Sequence, residues 1–299
     1  MSQGFRSGFV AIVGRPNVGK STLMNSMVGE KISIISDKPQ TTRNRIQCVL
    51  TRANYQIIFI DTPGLHKPKN KLGEYMVQVA KGALEEVDVV LFMVDIWEGI
   101  GGGDRFIAEE LKKVETPVIL VANKVDRVKS VENAEKMAQE LCQEGGFDEV
   151  ILVSALNGTN LDKLENTIVS YLPEGPKYYP DDMVTDQPER FVVAELIREK
   201  ALELLEEEVP HGIGVEVTAF KEREDKNIID IYATIYCEKK SHKGIVIGKG
   251  GSMLREIGSR ARRDIERLLG VHVYLELWVK VRENWRNNIA DLKNLGYKI

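Results

Sequence analysis

The segment Gly14 to Ser21 constrains the fold more than any other part of the chain, because it fits the pattern G-x-x-x-x-G-K-[ST]. It directly follows an apolar run at 9–13 and precedes a stretch at 22–28 that has the composition of a helix. A glycine-rich turn between a strand and a helix lets backbone N–H groups and the helix N-terminus point at a polyphosphate. A tight turn without a ligand is the alternative, but these flanks favour a phosphate site.

Within this loop we expect Lys20 to reach the β- and γ-phosphates and Ser21 to place its hydroxyl on Mg²⁺. The expected nucleotide contacts come from the loop and the residue after it, namely Gly14, Arg15, Pro16, Asn17, Val18, Gly19, Lys20, Ser21 and Thr22.

Apolar strands alternate with helical stretches up to about residue 172, which predicts an α/β fold with a mostly parallel six-stranded sheet and helices on both faces. Strands are predicted near 8–13, 46–51, 56–61, 88–95, 117–122 and 149–153, and helices near 20–28, 73–86, 104–113, 130–144 and 161–171. The short link at 52–54 predicts that the second and third strands form an antiparallel hairpin at one edge. Ligands of such sheets bind at the carboxyl ends of the strands.

The third predicted strand ends in Asp61, Thr62, Pro63 and Gly64. At this position the carboxylate of Asp61 can hold Mg²⁺ directly or through water, and the N–H of Gly64 can contact the γ-phosphate. Alone, this motif is an ordinary turn. Its place at a strand end, about 40 residues after a phosphate loop, favours the metal site.

The fifth strand ends in Asn123, Lys124, Val125 and Asp126, which identifies the base. Guanine presents an N1–H and an amine side by side, and the carboxylate of Asp126 can accept both; adenine would leave this buried group unsatisfied. Asn123 can bridge loop and base, and the Lys124 stem can cover the ring. The alternative is a helix cap with solvated charges. After the sixth strand, a backbone N–H within Ser154, Ala155 and Leu156 is expected at the guanine O6.

These four motifs, in this order, resemble those of the translation-factor-related GTPases, and the resemblance implies GTP or GDP as ligand, Mg²⁺ and GTP hydrolysis. The loop 39–43 resembles the first switch of the Era and tRNA-modification branch, in which Thr42 completes the Mg²⁺ coordination. Thr41 beside it leaves that assignment open. The metal ligands are therefore expected to be Ser21, Thr42 and Asp61.

Leu65 follows Gly64 at a point where many GTPases carry a water-orienting glutamine. A leucine side chain cannot align the attacking water, so we expect the domain to hydrolyse GTP slowly. Leu65 itself is expected to lie among the nucleotide-binding residues. In the family pattern Asn17 helps to hold a K⁺ that supplies positive charge; the alternative is a turn residue after Pro16. The expected catalytic set is Lys20, Thr42, Gly64 and Asn17.

Residues 173–189 carry prolines and no helical period, which predicts a stiff, exposed linker between a domain at 1–172 and a second domain at 190–299. Beyond the linker we predict a helix at 190–207 with an acidic outer face, strands at 214–221 and 227–237, a helical turn at 241–247, a helix at 252–269, a strand at 271–282 and a short terminal helix. This order, with the loop 248–251 between two helices, resembles a type II KH domain of the α+β class.

The resemblance to KH domains implies that single-stranded RNA lies against the glycine loop, in a groove for about four nucleotides. Residues 239–267 include nine basic and three acidic residues, although the net charge of the chain is −4. This local positive charge supports RNA binding by the second domain. Expected RNA contacts are Ile247, Gly248, Lys249, Gly250, Gly251, Arg255, Arg262 and Arg263. A structural turn with a solvated basic face is the alternative.

The composition bounds the remaining possibilities. No apolar run approaches the roughly 20 residues of a membrane span, and the start of the chain lacks the apolar core of a signal peptide. Three distant cysteines, Cys48, Cys142 and Cys237, suit reduced thiols. A cytoplasmic protein is expected.

Across the whole chain, a GTPase domain followed by a KH domain resembles the Era family of bacterial GTPases. The resemblance implies binding of the 3′ end of 16S ribosomal RNA, a role in processing that RNA and in biogenesis of the small (30S) ribosomal subunit, and peripheral association with the inner membrane. A monomer without a DNA partner is expected. The rivals are a tRNA-modifying GTPase, for which the second half lacks a modification domain, and a membrane-linked regulatory GTPase whose second domain binds protein.

Overall fold

The computed structural model describes residues 4–36, 38, 40–64, 68, 70–223 and 227–297. They form two compact units, each with its own core. The first comprises Met1–Ser33, Thr42–Lys67 and Met76–Asp186, and the second comprises Ile34–Thr41, Pro68–Tyr75 and Gln187–Ile299.

The first unit contains a six-stranded sheet in the order β2-β3-β1-β4-β5-β6. Its strands are β1 (Arg6–Gly14), β2 (Ile46–Thr51), β3 (Tyr55–Asp61), β4 (Val89–Asp95), β5 (Val118–Asn123) and β6 (Glu149–Leu152). The pair β2/β3 is antiparallel and lies at one edge, and the remaining neighbours are parallel, which confirms the predicted hairpin and fold class. The parallel register brings the carboxyl ends of β1, β3, β4 and β5 to one edge.

Among the described residues, the helices of this unit are α1 (Lys20–Val28), α2 (Lys71–Glu85) from Met76 onward, α3 (Gly102–Leu111), α4 (Val131–Gly145) and α5 (Leu161–Tyr171). The first residues of α2, up to Tyr75, belong to the second unit. The central strands read as continuous apolar runs because both of their faces are covered; every residue of β4 and β5 is buried. One cluster of the core joins Phe92 and Leu120 of the sheet to Ile107 of α3 and Leu141 of α4. The sheet is thus a rigid base for the loops at its edge.

The segment predicted as a linker is hydrogen-bonded along much of its length, and residues 173–186 belong to the first unit. The Gln56 side chain accepts hydrogen bonds from the backbone N–H groups of Tyr178 and Tyr179, at 2.8 and 3.0 Å. Further along, the N–H of Val49 in β2 donates to the carbonyl of Val184 at 2.9 Å. The prolines therefore stiffen a strap that runs beside the edge of the sheet.

The second unit contains a three-stranded sheet, ordered β7-β8-β9, packed with helices. Its elements are α6 (Glu189–Leu204), β7 (Gly214–Glu222), β8 (Ile228–Cys237), α7 (Lys240–Ile247), α8 (Ser252–Leu269), β9 (His272–Val281) and α9 (Ile289–Asn294). The pair β7/β8 is the predicted antiparallel hairpin, and β9 runs parallel to β8. Alternate residues of β8 join Ile257, Ala261 and Ile265 of α8 and Val193 and Ile197 of α6 in one core.

Helix α6 differs from its prediction in length and in burial. It ends at Leu204 rather than at 207, because Leu205 is extended with ψ 149°. The predicted solvated face also buries charge: Arg198 is 1 % exposed, pairs with Glu195 and donates to the carbonyl of Thr41. Residues Ile34–Thr41 belong to this unit. The backbone groups of Ile35 and Thr41 contact the helix where the sequence pattern predicted solvent.

Among the described residues, no helix combines the length and apolar character needed to cross a bilayer. All three cysteines are free thiols in the structure, and Cys48 and Cys237 are buried.

Candidate nucleotide-binding site and nucleic-acid interface

The loop between β1 and α1 has the shape of a phosphate cradle. Gly19 precedes α1 with φ 102°, a left-handed conformation that favours glycine, and a Cβ at this position would lie 2.4 Å from Asn123 Nδ2. The N–H groups that begin α1 have no helical partner and point toward the loop. The backbone geometry thus leaves donors for an anion at the edge of the sheet.

Lys20 is buried in this cradle and donates to the carbonyls of Arg15 at 2.8 Å and Gly14 at 3.2 Å. Burial lowers the pKa of Lys20 to about 8, and the attraction of Asp61 offsets only part of this effect. Burial removes water from the ammonium group of Lys20, and a phosphate placed here would stabilise its positive charge instead.

Three hydroxyls converge on one oxygen of Asp61. Its Oδ2 accepts hydrogen bonds from Ser21 Oγ at 2.7 Å, from Ser33 Oγ at 2.7 Å and from Thr42 Oγ1 at 3.5 Å. The oxygens of Ser21 and Thr42 are 3.1 Å apart. The loop of α1, the end of β3 and the segment before β2 therefore meet at one carboxylate.

The residues around Asp61 fit a bound magnesium ion. Asp61 Oδ1 is buried and accepts no hydrogen bond from the described residues, and burial raises the pKa of this carboxyl. A hard cation bound by oxygen ligands would relieve that cost, and the hydroxyls of Ser21 and Thr42 supply further oxygens beside it. Ser33 was missed by sequence reasoning, since no motif marks it.

The two threonines of the first switch are oriented differently. Thr42 faces Ser21 and Asp61, whereas Thr41 Oγ1 donates to the carbonyl of Lys38 at 2.5 Å. Of the two alternatives that the sequence left open, the geometry favours Thr42 as the metal ligand.

The turn after β3 lies against the phosphate loop. Thr62 Oγ1 donates to the carbonyl of Ile12 at 2.8 Å, and a Cβ at Gly64 would lie 2.8 Å from the backbone nitrogen of Pro16. Gly64 therefore lies beside the phosphate loop, and its N–H was expected to contact the γ-phosphate there. Leu65 and Pro39 lie outside the described residues.

Asn123 joins three loops at the end of β5. Its Nδ2 donates to the carbonyl of Val18 at 2.8 Å, and its Oδ1 accepts from the N–H of Ala155 at 2.9 Å. A single buried amide therefore fixes the phosphate loop relative to the loop expected to meet the base.

Asp126 lies in a short 3₁₀ helix, Val125–Arg127, where its Oδ1 accepts a hydrogen bond from Ser154 Oγ at 2.5 Å. Leu156 is 72 % exposed beyond this pair. The carboxylate and the loop at 154–156 are brought together as the guanine hypothesis requires.

Two further carboxylates support the site and were missed by sequence reasoning. Asp95, at the end of β4, pairs with Lys124 at 2.5 Å, and Asp104, at the start of α3, pairs with Arg15 at 2.7 Å. The strand-end rule would have found Asp95, but no sequence signal identifies Asp104. Both pairs hold cationic side chains in place beside the nucleotide loops.

In the second unit, the glycine loop forms a 3₁₀ turn, Lys249–Gly251, between α7 and α8. Gly250 has φ 60°, and a Cβ there would meet nothing within 4 Å, so the surface above the loop is open. This is the shape that a close-lying nucleic-acid backbone needs. Arg255 Nη2 donates to the carbonyl of Gly250 at 3.2 Å and so braces the loop.

The other predicted arginines lie on different sides of α8. Arg262 follows Arg255 by seven residues, about two turns of the helix, and is exposed on nearly the same face, whereas Arg263 lines a cleft of about 340 Å³ beside Lys200 and Asp264. Ile247 ends α7 directly before the loop.

Comparisons with known proteins agree with this division. A family model described as 50S ribosome-binding GTPase matches residues 9–124, and a KH domain model matches residues 208–286. The GTPase Era of Alkaliphilus oremlandii is 61 % identical over 98 % of this chain and 99 % of its own length. That of Clostridioides difficile is 58 % identical over 98 % and 99 %.

Two solved structures are similar over 99 % of this chain and 100 % of their own, each with a TM-score of 0.95 and 45 % identity. One is a point variant of Era from Aquifex aeolicus bound to GDP and AlF4⁻. The other is Era in complex with MgGDPNP and nucleotides 1506–1542 of 16S ribosomal RNA.

Proposed function

Because the chain belongs to the GTPase Era family, we propose that it is a GTP-hydrolysing switch that binds the 3′ region of 16S ribosomal RNA. The bound nucleotide sets the affinity for RNA, and the protein acts in 16S rRNA processing and in biogenesis of the small ribosomal subunit. It works in the cytoplasm, and any association with the inner membrane is peripheral.

The observation that carries the GTPase assignment is the convergence of Ser21, Thr42 and Asp61 beside a buried Lys20. In this site Lys20 and the N–H groups of α1 bind the phosphates, and Asp126 accepts the N1–H and amine of guanine. Mg²⁺, when bound, neutralises charge on the β- and γ-phosphates. The hydroxyl of Ser21 and the carboxylate of Asp61 would hold the ion, and the hydroxyl of Thr42 would supply a further oxygen ligand.

The RNA assignment is supported by the open glycine loop at Gly250 and by the solved relative that holds a 16S fragment. The first family model is described by the 50S subunit, but it covers residues 9–124 alone. The relative that holds the 16S fragment matches 99 % of this chain, so it is the basis for proposing 16S rRNA as the partner.

Crosslinking to cellular RNA, in cells and with GTP or GDP added to lysate, tests the proposal. We expect the 3′ end of 16S rRNA to be enriched, with the two nucleotides giving different yields. Paired Lys249→Asp and Gly250→Asp substitutions should abolish the enrichment. Lys136→Asp, the same charge change on the exposed face of α4, should leave it unchanged.

Enrichment that survives the two loop substitutions would overturn the assignment of the KH loop. Recovery of a protein partner without RNA would favour the regulatory alternative.

A further inference from the structure

The sheet of the second unit has one face covered by helices and one face that is open along β9, although Thr234 and Tyr236 of β8 are buried on it. On β8 and β9 the alternate residues that point away from the core include Tyr232, Tyr274 and Trp278. Trp278 is 58 % exposed and Tyr274 is 45 % exposed. Large exposed rings side by side on a sheet are unusual unless something binds them.

Two of the rings on this face, Tyr232 and Tyr274, are held in place by their neighbours. The centroids of Tyr232 and Tyr274 are 6.2 Å apart with an interplanar angle of 63°. The hydroxyl of Tyr274 donates to Glu276 at 3.1 Å, and the guanidinium of Arg223 lies 5.8 Å from the centroid of the Tyr274 ring. The ring of Tyr274 is therefore ordered before any ligand arrives, which lowers the entropic cost of binding.

The open face carries both signs of charge. Asp230 pairs with Arg223 at 2.7 Å, while Glu216 and Glu276 accept hydrogen bonds from the hydroxyls of Tyr236 at 2.7 Å and Tyr274 at 3.1 Å. Lys221 and Lys280 are exposed on the same face, opposite Asp230 and Tyr236 in the strand register. Ammonium groups thus flank the exposed rings.

We propose that this open face, named here the aromatic face and defined by Tyr274, Trp278, Lys221 and Lys280, is a second contact for unpaired RNA. Two bases stack on the rings of Trp278 and Tyr274, and the two lysines meet phosphates. Rings combined with a basic surface are the usual platform for single-stranded nucleic acid. Tyr274 and Trp278 are four positions apart along β9, which places their Cα atoms roughly 13 Å apart.

This inference rests on the proposed RNA-binding function and extends it. A KH groove takes about four nucleotides. The fragment bound by the solved relative, nucleotides 1506–1542, has 37. A second surface on the same unit gives unpaired nucleotides beyond the groove a place to bind.

Binding of the fluorescently labelled 37-nucleotide fragment by the full chain tests the inference. We expect Trp278→Ala and Tyr274→Ala each to weaken binding by roughly tenfold, since loss of one stacked base is worth about that factor. Trp278→Phe should retain part of the affinity, because a smaller ring still stacks. Phe106→Ala, which removes an exposed ring from α3 of the first unit, should have no effect.

A truncation series of the same fragment separates the two surfaces. Variants of the aromatic face should lose affinity only for RNA longer than the KH groove accommodates. The Lys249→Asp and Gly250→Asp pair should lose affinity for every length. Equal binding of the 37-nucleotide fragment by Trp278→Ala and the unaltered protein would overturn the aromatic face while leaving the KH assignment standing.

A direct readout guards against an indirect effect on folding. The chain has three tryptophans, of which Trp285 is fully buried. In a Trp97→Phe background, addition of the fragment should quench the fluorescence of Trp278. RNA binding without quenching would contradict stacking, and failure of the unaltered protein to bind any RNA would overturn both proposals.

Discussion

Ser21 Oγ lies 2.7 Å from Asp61 Oδ2, which joins the start of α1 to the end of β3 across 40 residues of sequence. The other oxygen of this carboxylate is buried without a hydrogen-bonding partner among the described residues. A site with one occupied and one vacant oxygen is prepared for a cation. The geometry explains why a hydroxyl at 21 and a carboxylate at 61 have to occur together.

Removal of the hydroxyl at Ser21 should weaken Mg²⁺ binding. We expect Ser21→Ala to raise the Mg²⁺ concentration for half-maximal GTP hydrolysis by about tenfold or more. Ser21→Thr keeps the hydroxyl and should behave like the unaltered protein. Steady-state hydrolysis over a Mg²⁺ titration measures both, and equal midpoints for Ala and Thr would exclude Ser21 as a ligand.

The threonines at 41 and 42 should be unequal. Thr42→Ala removes an oxygen beside Asp61, so we expect GTP hydrolysis to fall roughly 100-fold, as when one charge-stabilising group is lost. Thr41→Ala removes a hydrogen bond to the carbonyl of Lys38 and should cost far less. Single-turnover hydrolysis distinguishes them; the reverse order would move the metal ligand to Thr41.

Asp126 should determine which base is bound. Asp126→Asn replaces an acceptor with a donor, so GTP affinity should fall by roughly 10- to 100-fold. Xanthine carries an oxygen where guanine carries its amine, and the new amide can donate to it, so XTP binding should improve. Competition binding with GTP and XTP measures the change in base selectivity. Asp162→Asn, at an exposed position of α5, is the matched control. Unchanged selectivity would refute guanine recognition by Asp126.

The position of Lys20 predicts the pH dependence of nucleotide binding. Burial lowers its pKa to about 8, so the free protein loses this positive charge as the pH rises through that value. Phosphates need the ammonium form, and binding above pH 8 therefore requires uptake of a proton. We expect GTP affinity to fall about tenfold between pH 7 and pH 9.

Equilibrium titrations across this range, and calorimetry in buffers of different ionisation enthalpy, measure the fall and the proton uptake. Lys20→Met should bind weakly and lose the dependence. Affinity that stays constant up to pH 9 would show that Lys20 is charged in the free protein.

Sequence reasoning could predict which loops meet in the candidate nucleotide site because their residues obey a geometric rule. Parallel strands end at one edge, so motifs after β1, β3, β5 and β6 had to meet there. Asp95 follows β4 and obeys the same rule, although no motif drew attention to it. Ser33 and Asp104 do not: their contacts with Asp61 and Arg15 depend on how a loop and a helix start fold back.

The periodicity of the sequence predicted burial wrongly where the backbone of another segment, instead of water, contacts a helix. In α6, Arg198 and Glu199 are both about 1 % exposed, although the sequence predicted an acidic outer face for this helix. Glu199 Oε1 accepts from the N–H of Ile35 at 2.8 Å, and a hydrogen bond so distant in sequence leaves no periodic signal. Buried charges of this kind are visible only when their partners are known.

Asn17 provides the remaining prediction, because its backbone and its side chain can be tested separately. Asn17 has φ 67°, a left-handed conformation in which alanine would be strained and glycine would not. Asn17→Gly therefore removes the amide while keeping the loop geometry. If the amide helps to hold K⁺, hydrolysis by the unaltered protein should be faster in K⁺ than in Na⁺ at equal ionic strength. Asn17→Gly should abolish that difference while retaining GTP affinity. A glycine variant that still responds to K⁺ would leave Asn17 the role of a turn residue.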